Sequence, residues 1–197
     1  RSAFGMVRHK AQGFDANRLA LLVAVLEKRL GLNLQDKDVF LNVVGGVRVM
    51  DPAADLPAAV AVASALLDKT VPFDTVIFGE VGLSSEVRSV SQIIVRINEA
   101  ERLGFKRCIL PKNNLKSKDI KTKTLELVAV TGKCFVSWPK IAKVPNRLQS
   151  ASRCPLCFHG PFPGQTYRTV FWTIPRVGFL SAMALDKALP RWAIPTL

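Results

Sequence analysis

A chain of 197 residues, 49% of them hydrophobic, can build one ordinary domain with an appendage and bury a core. The formal charge of +13 invites a nucleic-acid reading, but it is unevenly spread: residues 1–132 hold 19 Lys and Arg against 14 Asp and Glu, and residues 133–197 hold 9 against 1. No apolar run reaches the roughly 18 residues of a membrane span, and no signal peptide is visible, so no membrane partner is expected. The first residue is Arg1 and not Met, which suggests a piece of a longer protein. Of the four cysteines only Cys108 lies before residue 133, so the body has no disulfide framework and fits a reducing compartment.

Residues 1–14 form a polar entry segment. Asp15 can cap a helix running to about Leu30, with Leu19, Leu22, Val23, Leu26 and Leu30 on one face and Gly31 as the stop. Val39 to Val47 alternates and is β-rich; it reads as a strand, continued or turned at Gly45-Gly46 into Arg48–Met50. Asp55 or Pro57 opens a second helix through Leu67, apolar all round and therefore buried. Thr75 to Phe78 reads as a buried strand, and Gly79 to Leu83 as a turn into a short strand around Val87. Ser91 is placed to cap a third helix to Leu103, stopped by Gly104. Lys106 to Leu110 is a strand ended by Pro111, and Leu125 to Val130 is a last strand. Alternation of this kind predicts an α+β domain with a mixed sheet.

Composition breaks near Gly132-Lys133. Four prolines occupy the 132 residues before it and eight the 65 after it, where loop is therefore the expectation. Residues 133–197 are predicted to be poorly packed, with a short helix at most over 180–189.

Six stretches carry more than generic pattern. They are Gly13-Phe14-Asp15-Ala16-Asn17-Arg18, Asp38-Val39-Phe40-Leu41-Asn42-Val43-Val44-Gly45-Gly46-Val47-Arg48, and Asp51-Pro52-Ala53-Ala54-Asp55-Leu56. After them come Gly79-Glu80-Val81-Gly82-Leu83-Ser84-Ser85-Glu86-Val87-Arg88, Glu99-Ala100-Glu101-Arg102-Leu103-Gly104-Phe105-Lys106-Arg107, and Leu110-Pro111-Lys112-Asn113-Asn114. In register, they resemble the C-terminal, Lon-protease-like domain of the RadA/Sms DNA repair family. The resemblance covers roughly residues 13–130 and implies the fold of the Lon proteolytic domain, which is like domain 2 of ribosomal protein S5. It divides the chain into a linker over 1–14, following an absent ATPase, a Lon-like domain over 15–132, and a Pro-rich basic tail over 133–197 foreign to the family. In similar proteins a closing helix follows the last strand; here an altered reading of the gene, such as a retained intron, would explain the tail.

The resemblance also bears on chemistry. Lon uses a Ser activated by a Lys, and a lysine acts as base only where burial lowers its pKa. The Lon serine follows Asp-Gly-Pro and precedes Ala-Gly. With its Pro on Pro52 and Gly-Glu on Gly79-Glu80, no gap is needed; the serine position falls on Ala53 and the lysine position on Ile94. Neither side chain can take part in acyl transfer, so a non-catalytic platform is expected: a hexameric ring beneath an ATPase that drives branch migration in recombinational repair. ATP and zinc are expected only in the upstream part. The implied partners are single-stranded or branched DNA and other copies of the chain, and the implied compartments are the bacterial cytoplasm, a plastid or a mitochondrion. An active Lon-type peptidase and a basic nucleic-acid-binding module are the rival readings.

The remaining motifs are weaker. Arg48, Arg88, Lys112, Lys116 and Lys118 are candidate DNA contacts, because lysines on a loop neutralise phosphates without reading bases. The body has six Phe and no Trp or Tyr, so stacking platforms for single strands are not evident. Gly132-Lys133-Cys134 lacks the earlier Gly and following Ser or Thr of a phosphate loop. Cys154, Cys157 and His159, with Cys134 at an arbitrary spacing, make half a zinc site, and no metal is expected. Ser64, Ser84, Ser85, Ser89 and Ser91 read as caps and turns rather than nucleophiles paired with His9 or His159. Asp51, Asp55, Glu80 and Glu86 allow an acid-pair or metal reading, but Asp55 as helix cap and Glu80 as acceptor for turn amides are favoured.

Overall fold

The computed structural model describes residues 7–44, 46–69, 71–116, 120, 122–132, 168–174 and 178–185. The first element, β1 (His9–Gln12), lies within the segment that the sequence offers as a linker. Its cause is Asp38, only 4% exposed, whose carboxylate accepts from the Arg8 backbone N–H and guanidinium, each at 2.9 Å. A buried carboxylate without such partners would be costly. The pairing draws residues 9–12 alongside β2 (Asp38–Val44) in parallel register, His9 opposite Val39.

Helix α1 (Ala16–Leu30) starts at the Asp15 cap, which accepts from the Arg18 N–H at 2.8 Å, and ends at Gly31 with φ 64°. Strand β2 ends at Val44, and Val49 makes an isolated parallel bridge to Phe14. Helix α2 (Asp55–Leu67) is buried without interruption from Asp55 to Ala65, as its all-round apolar sequence requires. Strand β3 (Thr75–Ile77) follows. Residues 79–83 are not all turn, because β4 (Glu80–Val81) pairs with β5 (Val87–Arg88) antiparallel. Helix α3 (Ile93–Arg102) begins at Gln92 in a left-handed conformation, φ 52°, and not at a Ser91 cap; the Ser91 carbonyl instead accepts from Arg96 Nε at 3.0 Å.

Strands β6 (Arg107–Pro111) and β7 (Glu126–Val130) complete a parallel sheet in the order β3-β6-β7. Its side-chain alternation divides the interior. Ile77 and Ile109 join the core of α1, β2 and α2, whereas Val76, Phe78, Cys108 and Leu110 join Ile93, Ile97 and Ala100 of α3. This sheet is therefore sandwiched between α2 and α3. Each fully buried large aliphatic or aromatic side chain stabilises it by about 1.5–3 kcal/mol.

The expectation of a helix over 180–189 is corrected. Residues 168–174 form β8 (Arg168–Ile174) and 178–185 form β9 (Gly178–Leu185), an antiparallel hairpin whose β9 runs along all of β2, Leu41 opposite Ala182. The sheet order is β1-β2-β9-β8, and the hairpin passes beside α2. For these two segments the loop reading gives way because β2 has a second edge of backbone donors and acceptors to satisfy. No helix among the described residues is long and apolar enough to cross a membrane.

Candidate functional site

The sequence points to the turn between β2 and α2. There Pro52–Ala54 form a single 3-10 turn capped by Asp51, whose Oδ1 accepts from the Ala53 N–H at 2.9 Å. The sequence offers Asp55 as the cap of α2; that helix instead begins after Ala54 with no side-chain cap, and Asp51 caps the 3-10 turn before it. The neighbouring strand closes over the turn from the other side. The Gly79 N–H donates to the Ala53 carbonyl at 3.0 Å, and the Leu56 N–H donates to the Gly79 carbonyl at 2.9 Å. A Cβ on Gly79 would stand 2.8 Å from Leu56 Cδ2, so a larger residue there would have to displace the Leu56 side chain.

Ala53 is 3% exposed and packs with Phe78, Ile93 and Ile97. Ile94 is 37% exposed, on a face of α3 turned away from the buried stripe of Ile93, Ile97 and Ala100. The position expected for a nucleophile is thus buried and apolar, and the one expected for a base faces water.

Two arginines meet the acids of the turn. Arg18, from the first turn of α1, pairs with Asp55, donates to the Met50 carbonyl at 3.4 Å and lies 5.3 Å from the Phe14 ring centre. Arg96, from α3, pairs with Asp51 and lies 5.7 Å from the Phe78 ring centre. Burial pulls the Asp51 carboxyl up, but the Ala53 amide and the Arg96 guanidinium together hold it below the ordinary value of 3.8. For the more deeply buried Asp55 desolvation prevails over Arg18, and its carboxyl lies above that value. The second oxygen of Asp55 receives the Val81 N–H at 3.5 Å. Both arginines fall on the apolar stripes of their helices, Arg18 four residues before Leu22 and Arg96 three after Ile93 and four before Ala100; a cation on such a stripe is the sequence signal for a buried acid partner, and neither arginine is among the residues the sequence singles out.

The other acids also differ from expectation. Glu80 accepts from Arg88 at 3.4 Å, and it is Glu86 that takes a turn amide, Ser84 N–H, at 3.0 Å. Arg88 also donates to Glu86 at 2.6 Å, so this candidate DNA contact is engaged by two carboxylates. The candidates Arg48, Lys112 and Lys116 are exposed; Lys112 and Lys116 flank the turn after β6, and Arg48 lies before the Pro52 turn. Lys118, Lys133, Cys134, Cys154, Cys157 and His159 lie outside the described residues. Among the serines, Ser64 donates its hydroxyl to the Lys69 carbonyl at the end of α2, a turn-forming role. Burial pushes the Cys108 thiol up to about 12, far from a reactive thiolate. Between the two lysines, the buried Asn114 receives the Val90 N–H at 3.0 Å and returns a bond to the Val90 carbonyl at 2.9 Å, tying the lysine-bearing turn to the start of α3.

Fold and site together define an α+β domain of mixed sheets whose central turn is lined by aliphatic residues and ion pairs. The family described as subunit ChlI of Mg-chelatase matches residues 17–114, from α1 to the Asn114 turn. The chain is 54% identical over 106 residues to the DNA repair protein RadA of Aquifex aeolicus, covering 54% of this chain and 24% of that protein. It is 48% identical over 130 residues to the DNA repair protein RadA of Halalkalibacterium halodurans, covering 66% and 28%. With the protein of that name from Listeria monocytogenes the identity is 48% over 111 residues, covering 56% and 24%. The chain therefore spans about a quarter of the length of the curated relatives it matches.

Proposed function

We propose that the chain is the non-catalytic, Lon-like platform module of a RadA-type ATP-dependent DNA repair protein, supporting ring assembly and DNA contact during branch migration. The observation that carries this is the extended identity to proteins named DNA repair protein RadA, 48% over 130 residues and 54% over 106. The burial of Ala53 and the exposure of Ile94 support the absence of hydrolytic chemistry. ATP binding and zinc binding belong, in this reading, to the part of the relatives that lies upstream of the match. Arg48, Lys112, Lys116 and Lys118 are the proposed phosphate contacts, with Arg88 a weaker one because Glu80 and Glu86 already engage it.

DNA binding by the purified chain, titrated against salt on single-stranded and branched oligonucleotides, tests this reading. Lys112→Ala with Lys116→Ala should weaken binding to all sequences alike and reduce the slope of log affinity against log salt by about 2. Arg88→Ala should change it little. An unchanged slope would remove these lysines from the interface, and binding lost only on deleting residues 133–197 would favour a basic tail acting alone. In the same preparation, cleavage of casein by the chain with its own Ala53 and Ile94 would overturn the non-catalytic reading.

A further inference from the structure

We propose that the Pro52–Ala54 turn is held shut by a double arginine clamp, Arg18 of α1 on Asp55 and Arg96 of α3 on Asp51, which ties two helices from opposite layers to the one turn that carries the buried Ala53. The inference rests on this geometry and not on the DNA repair reading. Each acid serves the local backbone as well as its arginine: Asp51 caps the Ala53 N–H, and Asp55 receives the Val81 N–H. Each arginine is fixed at more than one further point, Arg18 by the Met50 carbonyl and the Phe14 ring, Arg96 by the Ser91 carbonyl and the Phe78 ring. The pairs flank the turn in sequence, one on the residue before Pro52 and one on the residue after Ala54, so outward movement of Ala53 must strain or break both. Their environments suit this use. The Asp55 side chain is 8% exposed, and removing Arg18 would leave a carboxylate with little water to solvate it. Charge-assisted bonds to a planar guanidinium hold direction as well as distance. A shift of α1 against α3 would therefore be felt at the turn.

The test places a thiol at the turn. Ala53→Cys is made in the full chain with Cys134, Cys154 and Cys157 changed to Ser, leaving Cys108 as an internal buried reference. Alkylation by iodoacetamide is followed residue by residue by mass spectrometry, with Met50→Cys as the exposed reference, since Met50 is 76% exposed. The thiol at position 53 should react as slowly as Cys108. Adding Arg96→Ala should speed it by about tenfold or more, the loss of roughly one charge-assisted bond, while Cys108 stays unchanged. Arg96→Lys should give a smaller increase, and the exchange Asp51→Arg with Arg96→Asp should restore part of the protection. Arg18→Gln should open the turn likewise. The proposal is overturned if position 53 reacts as fast as position 50, if neither arginine substitution changes its rate, or if Cys108 accelerates in step with it. The last outcome would mean that the arginines hold the whole fold and not the turn.

Discussion

At the scale of single residues, polar side chains here act mostly on backbone. Asn114 completes the hydrogen bonding of Val90 on both sides, as a strand neighbour would, and it is buried. Asn114→Ala would leave a buried donor and acceptor without partners. It should lower stability by about 2–4 kcal/mol in urea unfolding, with Asn114→Asp intermediate because it keeps the bond from the Val90 N–H. A loss under about 0.5 kcal/mol would show that water replaces the amide at no cost. Asp51 makes a pH-dependent contribution. Its carboxyl is held below 3.8 in the fold, so its stabilisation is complete above that value and lost as the pH falls below it toward the folded-state pKa. The stability gap between wild type and Asp51→Asn should accordingly be wide near neutrality and narrow at about pH 3. Equal gaps at both, measured by urea midpoints, would contradict the pairing with Arg96.

Whole elements are set by their ends and by what they face. Gly31 and Gly79 are both required, for different reasons. Gly31 ends α1 with φ 64°, and an added Cβ there would touch nothing within 4 Å, so Gly31→Ala should cost only the left-handed strain of about 1–2 kcal/mol. Gly79 would put a Cβ 3.1 Å from Val87 Cγ1 as well as against Leu56, so Gly79→Ala must push α2 away from the β4–β5 pair, at about 1–3 kcal/mol. Thermal unfolding of the two variants should separate them further: Gly79→Ala should also raise amide exchange at Leu56 and Val81, and Gly31→Ala should not. Parallel changes in both would mean that the contact at Gly79 relaxes freely.

For the molecule as a whole, the balance turns on β2. It takes a parallel partner from before α1 and an antiparallel partner from beyond residue 132. Truncation after Gly132 should therefore free the β2 amides that face β9, raising their hydrogen exchange by about tenfold or more and lowering the melting temperature. An unchanged melting curve with unchanged exchange over 38–44 would mean that the body closes its sheet without the hairpin, and that the foreign-tail reading of the sequence holds in full.

Local physics made much of this legible from the sequence. The Asp15 cap, the leucine stripe and Gly31 bound α1; the unbroken apolar run from Leu56 to Ala63 could only be interior; alternation marked β2. Each of these is a near-neighbour property, readable from periodicity and capping. Long-range partners were not legible. Arg8 reaches Asp38 across 30 residues, Arg18 reaches Asp55 across 37, and Arg96 reaches Asp51 across 45, and no spacing rule connects them. The same holds for β1 in the entry segment and for β9 in the Pro-rich tail, where the segment's own propensity is weak and β2 supplies the partner. Side-chain periodicity tells which face a residue takes; only tertiary structure decides which distant group waits there, because buried charges and open sheet edges must be satisfied by whatever the fold brings near.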